Sequence, residues 1–316
     1  MSPPNKHRSG FVALVGRPNV GKSTLLNRLA GEKLAIVSPK PQTTRNRILG
    51  VVTRPEGQIA FVDTPGIHRR SGELNRYLLQ VALSAAGEVD LNLMLIEMPE
   101  RAAAEAQVDP EDRRVLRQLE EKKKPLALAI NKIDRAPRER ILPLIDAYRG
   151  ELPFLEIVPT SALTGEGVDE LFRILLGHLP EGPALFEEDV LTDQAERQLA
   201  AEYIREQILR RTREEVPHST AVVVDLFDES ERAPRHGAKP GALGGLVRIL
   251  ATIHVERESQ KGILIGKGGR MLKEIGTDAR KAIERLLGTH VYLELRVAVE
   301  PRWSERKEGL RKLGYE

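Results

Sequence analysis

Eight residues near the start of the chain, Gly16-Arg17-Pro18-Asn19-Val20-Gly21-Lys22-Ser23, limit its fold more than any other stretch. They fit G-x-x-x-x-G-K-[ST], a loop whose glycines bring backbone N–H groups close to phosphates at a helix N-terminus. The flanks suit that design. Phe11 to Val15 is a short apolar run that predicts a buried strand, and Thr24 to Leu29 predicts the helix after it. In such a loop Lys22 sets its ammonium on the outer phosphates and the Ser23 hydroxyl ligates Mg²⁺. The loop alone does not say which nucleotide binds.

Later stretches narrow the choice. Gly31 to Asn46 holds Ser38-Pro39-Lys40-Pro41-Gln42-Thr43-Thr44-Arg45, a loop by its prolines and hydroxyls. Two apolar runs follow, Arg47 to Thr53 and Gln58 to Val62, joined by a Pro-Gly turn that predicts a hairpin. The second run ends in Asp63-Thr64-Pro65-Gly66. An aspartate at a strand's carboxyl end beside a phosphate loop is placed to hold Mg²⁺ through water, and Gly66 lets its N–H face a γ-phosphate. Leu126 to Ile130 is a further strand, ending in Asn131-Lys132-Ile133-Asp134. A carboxylate at Asp134 accepts from guanine's ring N–H and amine, a pair that adenine does not offer. Asn131 would tie this loop to the phosphate loop, and the Lys132 stem would cover one face of the base. Phe154 to Val158 predicts one more strand, after which Pro159-Thr160-Ser161-Ala162 offers N–H groups to the guanine carbonyl. Strands alternating with helices predict an α/β, doubly wound, mainly parallel sheet with these loops at its carboxyl edge.

Composition sets the outer bounds. A chain of 316 residues suits about two domains. It has no cysteine, which excludes disulfides, thiolate zinc sites and a cysteine nucleophile and fits a reducing cytosol. Its N-terminus is polar and basic without an apolar core, so no secretory signal is expected. No apolar run approaches the roughly 18 residues needed to cross a bilayer. The net charge of +3 is mild, so any nucleic-acid site must be a local patch.

Leu179-Pro180-Glu181-Gly182-Pro183 breaks helix and composition together. The expected division is residues 1–182, a linker at 183–192, and residues 193–316. In the last part, a helix from Gln194 to Arg213, strands at Ala221 to Phe227 and Leu246 to Glu256, and a Gly/Pro-rich loop at 230–245 come before Gly266-Lys267-Gly268-Gly269. Met271 to Leu287 is then helical, and His290 to Val299 alternates as a strand. A G-x-x-G loop in this order of elements predicts an α+β type II KH domain, in which the loop clamps the backbone of about four nucleotides. From Gly245 onward there are fifteen lysines and arginines against ten carboxylates, a net of +5 that exceeds the +3 of the whole chain. Lys261, Ile265, Gly266, Lys267, Gly268, Gly269, Arg270 and Lys273 are therefore the candidate RNA-binding residues. Aromatic residues are 4% of the chain, so stacking of bases on rings should be minor.

The nucleotide motifs, in this order and spacing, resemble those of translation-factor-class small GTPases. With the KH domain they resemble the Era family over nearly the whole chain, including Ala200 to Glu206 and Val255 to Lys261. The chain departs from that family in the Gly/Pro-rich loop. The resemblance implies a GTPase that cycles between GTP and GDP with Mg²⁺, on Gly16, Arg17, Pro18, Asn19, Val20, Gly21, Lys22, Ser23, Thr24, Asp63, Thr64, Pro65, Gly66, Asn131, Lys132, Asp134, Ser161 and Ala162. It implies that Thr44, with Thr43 the alternative, ligates Mg²⁺ beside Ser23 and Asp63, and that Lys22, Thr44 and Gly66 carry catalysis. Ras-like proteins follow Asp-x-x-Gly with a water-orienting glutamine. Here Ile67 stands there, so slow or assisted hydrolysis is expected. Pro-Asn-Val in the loop further implies a potassium ion on Asn19. As partners the resemblance implies the 3′ end of 16S rRNA and the 30S subunit, bound by a cytoplasmic monomer that touches the inner membrane peripherally. A tRNA-modifying GTPase would bring a cofactor site or cysteine chemistry, and a metabolic kinase would use ATP, against Asp134.

Overall fold

Glycine, proline and charge punctuate the apolar runs as they would in a layered α/β fold, and the chain follows them. The computed structural model describes residues 7–68, 71–99, 107–232 and 244–315. Of the Gly/Pro-rich loop at 230–245, residues 233–243 therefore lie outside the described residues. The chain divides into two compact units, Met1–Ser71 with Asn75–Asp193, and Gln194–Glu316 with Gly72–Leu74.

In the first unit the strands are β1 (Arg8–Val15), β2 (Ile48–Arg54), β3 (Gly57–Asp63), β4 (Leu91–Glu97), β5 (Leu126–Asn131) and β6 (Ile157–Pro159). They form one sheet in the order β2-β3-β1-β4-β5-β6, in which β2 is antiparallel to β3 and every other pair is parallel. Alternation along β1 sends Val12 and Leu14 to one face and Ala13 and Val15 to the other, all fully buried. The first face packs on α1 (Lys22–Ala30) and α5 (Val168–His178) through Leu25, Leu26, Phe172 and Leu175. The second packs on α2 (Glu73–Glu88), α3 (Pro110–Glu120) and α4 (Ile141–Arg149) through Ala82, Ala86, Val115, Leu119 and Tyr148. Cover on both faces is what a parallel sheet requires. All strand ends that carry a motif meet at the carboxyl edge of this sheet. The last strand is shorter and later than its apolar run suggests. Phe154 and Leu155 precede it in irregular chain, although the Leu155 N–H still donates to the Leu126 carbonyl of β5 at 2.8 Å.

Residues 183–192, expected to be a linker, are hydrogen-bonded to the first unit. Gln58 in β3 donates to the Phe186 carbonyl at 3.0 Å and accepts from the N–H groups of Leu185 and Phe186. Val51 donates to the Leu191 carbonyl at 2.8 Å, and the Thr192 hydroxyl donates to that of Leu49 at 2.6 Å. The edge strand β2 thus has its unpaired side covered rather than left open.

The second unit runs α6 (Glu196–Arg211), β7 (Ala221–Glu231), β8 (Leu246–Val255), α7 (Glu258–Ile265), α8 (Arg270–Leu287), β9 (His290–Val299) and α9 (Lys307–Lys312). Its sheet order is β7-β8-β9, with β7 antiparallel and β9 parallel to β8. Ile275, Ala279 and Ile283 on α8 are fully buried, spaced for one helical face. Trp303 is fully buried too; its indole N–H donates to the Ser219 carbonyl at 2.9 Å, and it stacks on Tyr315. That fixes the C-terminal residues as packing elements. Among the described residues, no helix is long and apolar enough to cross a membrane.

Candidate nucleotide and nucleic-acid sites

The turn from β1 into α1 is set by backbone constraints. Gly21 has φ +105°, and a Cβ there would stand 2.2 Å from the Asn131 amide nitrogen. Only glycine satisfies both conditions. Asn131 uses that closeness. Its Nδ2 donates to the Val20 carbonyl at 2.8 Å, and its Oδ1 accepts the Ala162 N–H at 2.9 Å. One buried side chain thus joins the phosphate loop, the end of β5 and the loop after β6.

Lys22 is buried inside this loop. Its ammonium donates to the carbonyls of Gly16 and Arg17 at 3.1 and 2.9 Å. Burial lowers its pKa to about 8, against the pull of Asp63. The Asp63 carboxyl is itself pushed up by burial and held down by Lys22 and two hydroxyls. The Ser23 hydroxyl donates to Asp63 Oδ2 at 2.6 Å, the Thr44 hydroxyl lies 3.2 Å from the same oxygen, and the two hydroxyls are 2.9 Å apart. Asp63 Oδ1 is buried with no hydrogen-bond partner. Two hydroxyls and a buried carboxylate with one oxygen unpartnered make a hard oxygen set that suits a magnesium ion. Thr43 is not part of this set, since its hydroxyl donates to the Lys40 carbonyl at 2.6 Å.

A cavity of about 340 Å³ opens above these groups, lined by Lys22, Ser23, Thr44, Gly66 and Lys132 among others. Gly66 lies against the ring of Pro18, where a Cβ would stand 2.6 Å from the Pro18 backbone. Ile67 points the opposite way, into the core, and its N–H donates to the Gly16 carbonyl at 3.1 Å. No glutamine-like group faces the cavity from that position. Asn19 is exposed at φ +66°, and its amide donates to the Pro39 carbonyl at 2.7 Å. Lys132 is ion-paired with Glu97, which steadies its stem at the cavity wall. Asp134 accepts from the Ser161 hydroxyl at 2.5 Å, and that hydroxyl also accepts the Thr164 N–H.

Several expected contacts are revised. The Arg17 side chain leaves the loop on its outer side and pairs with Asp109, so only its backbone serves the cavity. Val20 is buried in the core, and the Thr64 hydroxyl donates to the Leu14 carbonyl at 2.7 Å. Pro65 is likewise buried and does not line the cavity. The amides of Thr160, Ser161 and Ala162 already serve Ile130, Glu166 and Asn131, which leaves the Leu163 N–H as the loop's open donor. The sequence reading also missed Ile36, Val37 and Arg135 in the cavity wall. The apolar pair ahead of Ser38-Pro39 was the available signal for the first two.

In the second unit, α7 ends at Gly266 with φ +70°, and residues 267–269 form one tight turn into α8. Gly268 and Gly269 have φ +60° and +77°, with nothing within 4 Å of where a Cβ would stand. The loop is exposed backbone at the N-terminus of an 18-residue helix that has no acidic residue in its first turn. Lys267, Arg270 and Lys273 are exposed, while Lys261 and Ile265 are half-buried. Arg270 is bridged to Glu274 at 3.0 Å, an exposed pair that a phosphate can displace at little cost. Ile263, 49% exposed, presents an apolar side chain beside the loop that the sequence did not single out.

Residues 11–132 match a family described as 50S ribosome-binding GTPase, and residues 235–304 match one described as KH domain. GTPase Era of Geobacter metallireducens is 52% identical over 98% of this chain and 99% of its own. A crystal structure of an Aquifex aeolicus Era variant bound to GDP·AlF4⁻ superimposes with a TM-score of 0.87 at 44% identity, over 98% of this chain and 99% of that one. A crystal structure of Era in complex with MgGDPNP and nucleotides 1506–1542 of 16S ribosomal RNA gives 0.88 at 43% identity, with the same coverage.

Proposed function

The chain belongs to the Era family of GTPases, and from that premise we propose that it is a GTP-driven switch that binds the 3′ end of 16S rRNA and assists assembly of the 30S subunit. The observation that carries the nucleotide part is Asn131, which joins the phosphate loop to the base loop and so sets Asp134 at a fixed distance from Lys22. Asp134 would read guanine's two N–H donors, and the Leu163 amide would meet its carbonyl. The matched family description mentions the large subunit, whereas the solved Era complex holds small-subunit RNA. We follow the complex, because its likeness spans both units and the family match ends at residue 132.

Ser23, Thr44 and Asp63 would hold Mg²⁺, which supplies neutralising charge to the terminal phosphates. Lys22 adds a buried cation to the same oxygens, and the Gly66 N–H would bond the γ-phosphate. Water attack has no side-chain base or orienter at Ile67, so turnover rests on positioning and electrostatics and is slow on its own. Asn19 Oδ1 would take a potassium ion, with its Nδ2 already fixed on Pro39. Equal turnover in sodium and potassium would remove that ion role.

Thr44 precedes β2 and Asp63 ends β3, so the two Mg²⁺ ligands sit at the same end of one hairpin. Residues 185–192, which lead toward the second unit, are hydrogen-bonded to that hairpin. Ordering of the Thr44 and Gly66 loops by GTP would be felt there, and RNA binding by the Gly266–Gly269 loop would follow nucleotide state. The protein would act as a cytoplasmic monomer with a peripheral contact to the membrane. The test is crosslinking of the Lys267 loop to cellular RNA and sequencing of what is recovered. Enrichment of the 16S 3′ end supports the reading, and recovery of tRNA or messenger RNA instead would refute it.

A further inference from the structure

Variable positions of a phosphate loop need no charged side chain, yet Arg17 is held from outside the loop. Its Nη1 donates to Asp109 Oδ2 at 2.8 Å, and its Nε lies 2.8 Å from Asp112 Oδ1, an ion pair outside hydrogen-bond alignment. Asp112, on α3, is 1% exposed. Its Oδ2 accepts from the hydroxyl of Tyr148, a core residue of α4, at 2.8 Å. Asp109 also caps α3, accepting the Glu111 N–H at 2.8 Å. Burying a carboxylate is costly, and an apolar pair would pack α3 on α4 at least as well. The charge therefore calls for a role beyond packing. On its inner side, the Arg17 carbonyl accepts from Lys22 Nζ at 2.9 Å, and the Gly16 carbonyl accepts from Lys22 Nζ and from the Ile67 N–H, both at 3.1 Å. One residue thus joins a buried carboxylate outside the loop to the phosphate-binding lysine within it.

We propose that Arg17, clamped by Asp112 and Asp109, is a positioning residue that fixes the first half of the phosphate loop and the starting place of Lys22. The inference rests on the nucleotide reading above. Because the clamp acts on backbone that GDP and GTP both use, its effect falls on the binding of either nucleotide rather than on the chemical step.

Acid pH separates this role from a merely structural one. Burial pushes the Asp112 carboxyl up from 3.8 to about 6, against the pull of Arg17 and Tyr148 and with a push from Asp109. Glu97 acts on the pair through Arg17. A carboxyl raised on folding favours the protonated form in the native state. Its contribution to global stability is therefore full below the ordinary carboxylate range and is lost as pH rises through about 6. The clamp runs the other way, since it needs the carboxylate. Acidification should firm this part of the fold while loosening the loop.

The test uses the full chain with Asp112→Asn, which keeps a partner for Tyr148, with Arg17→Met, and with both together. GDP and GTP dissociation constants, kcat and thermal midpoint are measured at pH 7.5 and pH 5. At pH 7.5 each single variant should weaken both nucleotides about tenfold and equally, with kcat within about twofold, and the double variant should be no worse than a single one. At pH 5 the gap between wild type and Asp112→Asn should close. Affinities within twofold of wild type at pH 7.5 would overturn the inference whatever the thermal midpoint does, as would additive losses or a gap that persists at pH 5. If the wild-type protein binds no guanine nucleotide, the functional reading falls first; if it binds and the variants match it, only the clamp does.

Discussion

The phosphate loop and the G-x-x-G loop both rely on glycine, but for different reasons. At Gly21 a side chain would collide with Asn131 at 2.2 Å, and the backbone angle is left-handed as well. At Gly268 and Gly269 nothing lies within 4 Å, and only the backbone angle asks for glycine. The first site is closed. Its lysine and its aspartate are buried, and the carbonyls of Gly16, Arg17 and Val20 are already engaged by Lys22 and Asn131. The second is open, with lysines and an arginine in solvent and a helix N-terminus exposed beside them. A closed site can measure one ligand finely, whereas an open one recognises a backbone and leaves selection to neighbouring contacts.

Substitutions can break that contrast. The largest effect should come from Asp134→Asn. Loss of two charge-assisted hydrogen bonds to guanine should cost about 3–5 kcal/mol, or about a thousandfold in GTP affinity, with a gain for xanthosine triphosphate. Competition binding of the two nucleotides checks it, and unchanged GTP preference would remove the guanine assignment. Gly21→Ala comes next. Collision with Asn131 should weaken GDP and GTP by about a hundredfold or more while RNA binding without nucleotide stays intact. Gly269→Ala carries strain alone, about 1–2 kcal/mol, and should weaken a 16S 3′-end oligonucleotide by about tenfold with no change in nucleotide affinity. A matching loss of nucleotide affinity would show that the G-x-x-G loop is not the open, separate site described. Lys267→Ala should be the mildest, a few-fold weaker for RNA, with the slope of log affinity against log salt reduced by about 0.7. An unchanged slope would place the phosphate contact elsewhere.

The same contrast explains what could be read in the sequence. The nucleotide motifs are short, fixed in spacing and tied to strand ends, so Asn131 and Asp63 could be singled out before any fold was known, whereas Thr44 came from the family resemblance with Thr43 left open. Their second partners were not. Arg17 meets Asp109 and Asp112 across 92 and 95 residues, and nothing local marks that pairing. The Leu163 amide was missed because the side chain carries no chemistry, while its neighbours' amides turn out to be engaged. The grip of β2 and β3 on residues 185–192 was hidden for another reason. The prolines just before it and its own acidic run read as a linker, although Leu191 and Thr192 hydrogen-bond to the edge strand β2. In the second unit the order of elements was legible and Ile263 was not, since an exposed isoleucine inside an apolar run looks like core.

The central claim is that the closed site governs the open one. Its most direct test is the affinity of the full chain for a 16S 3′-end oligonucleotide at fixed salt, with Mg²⁺ and either a non-hydrolysable GTP analogue or GDP. Binding should be at least about tenfold tighter with the analogue, a coupling of about 1.4 kcal/mol. Equal affinities in the two states would contradict it.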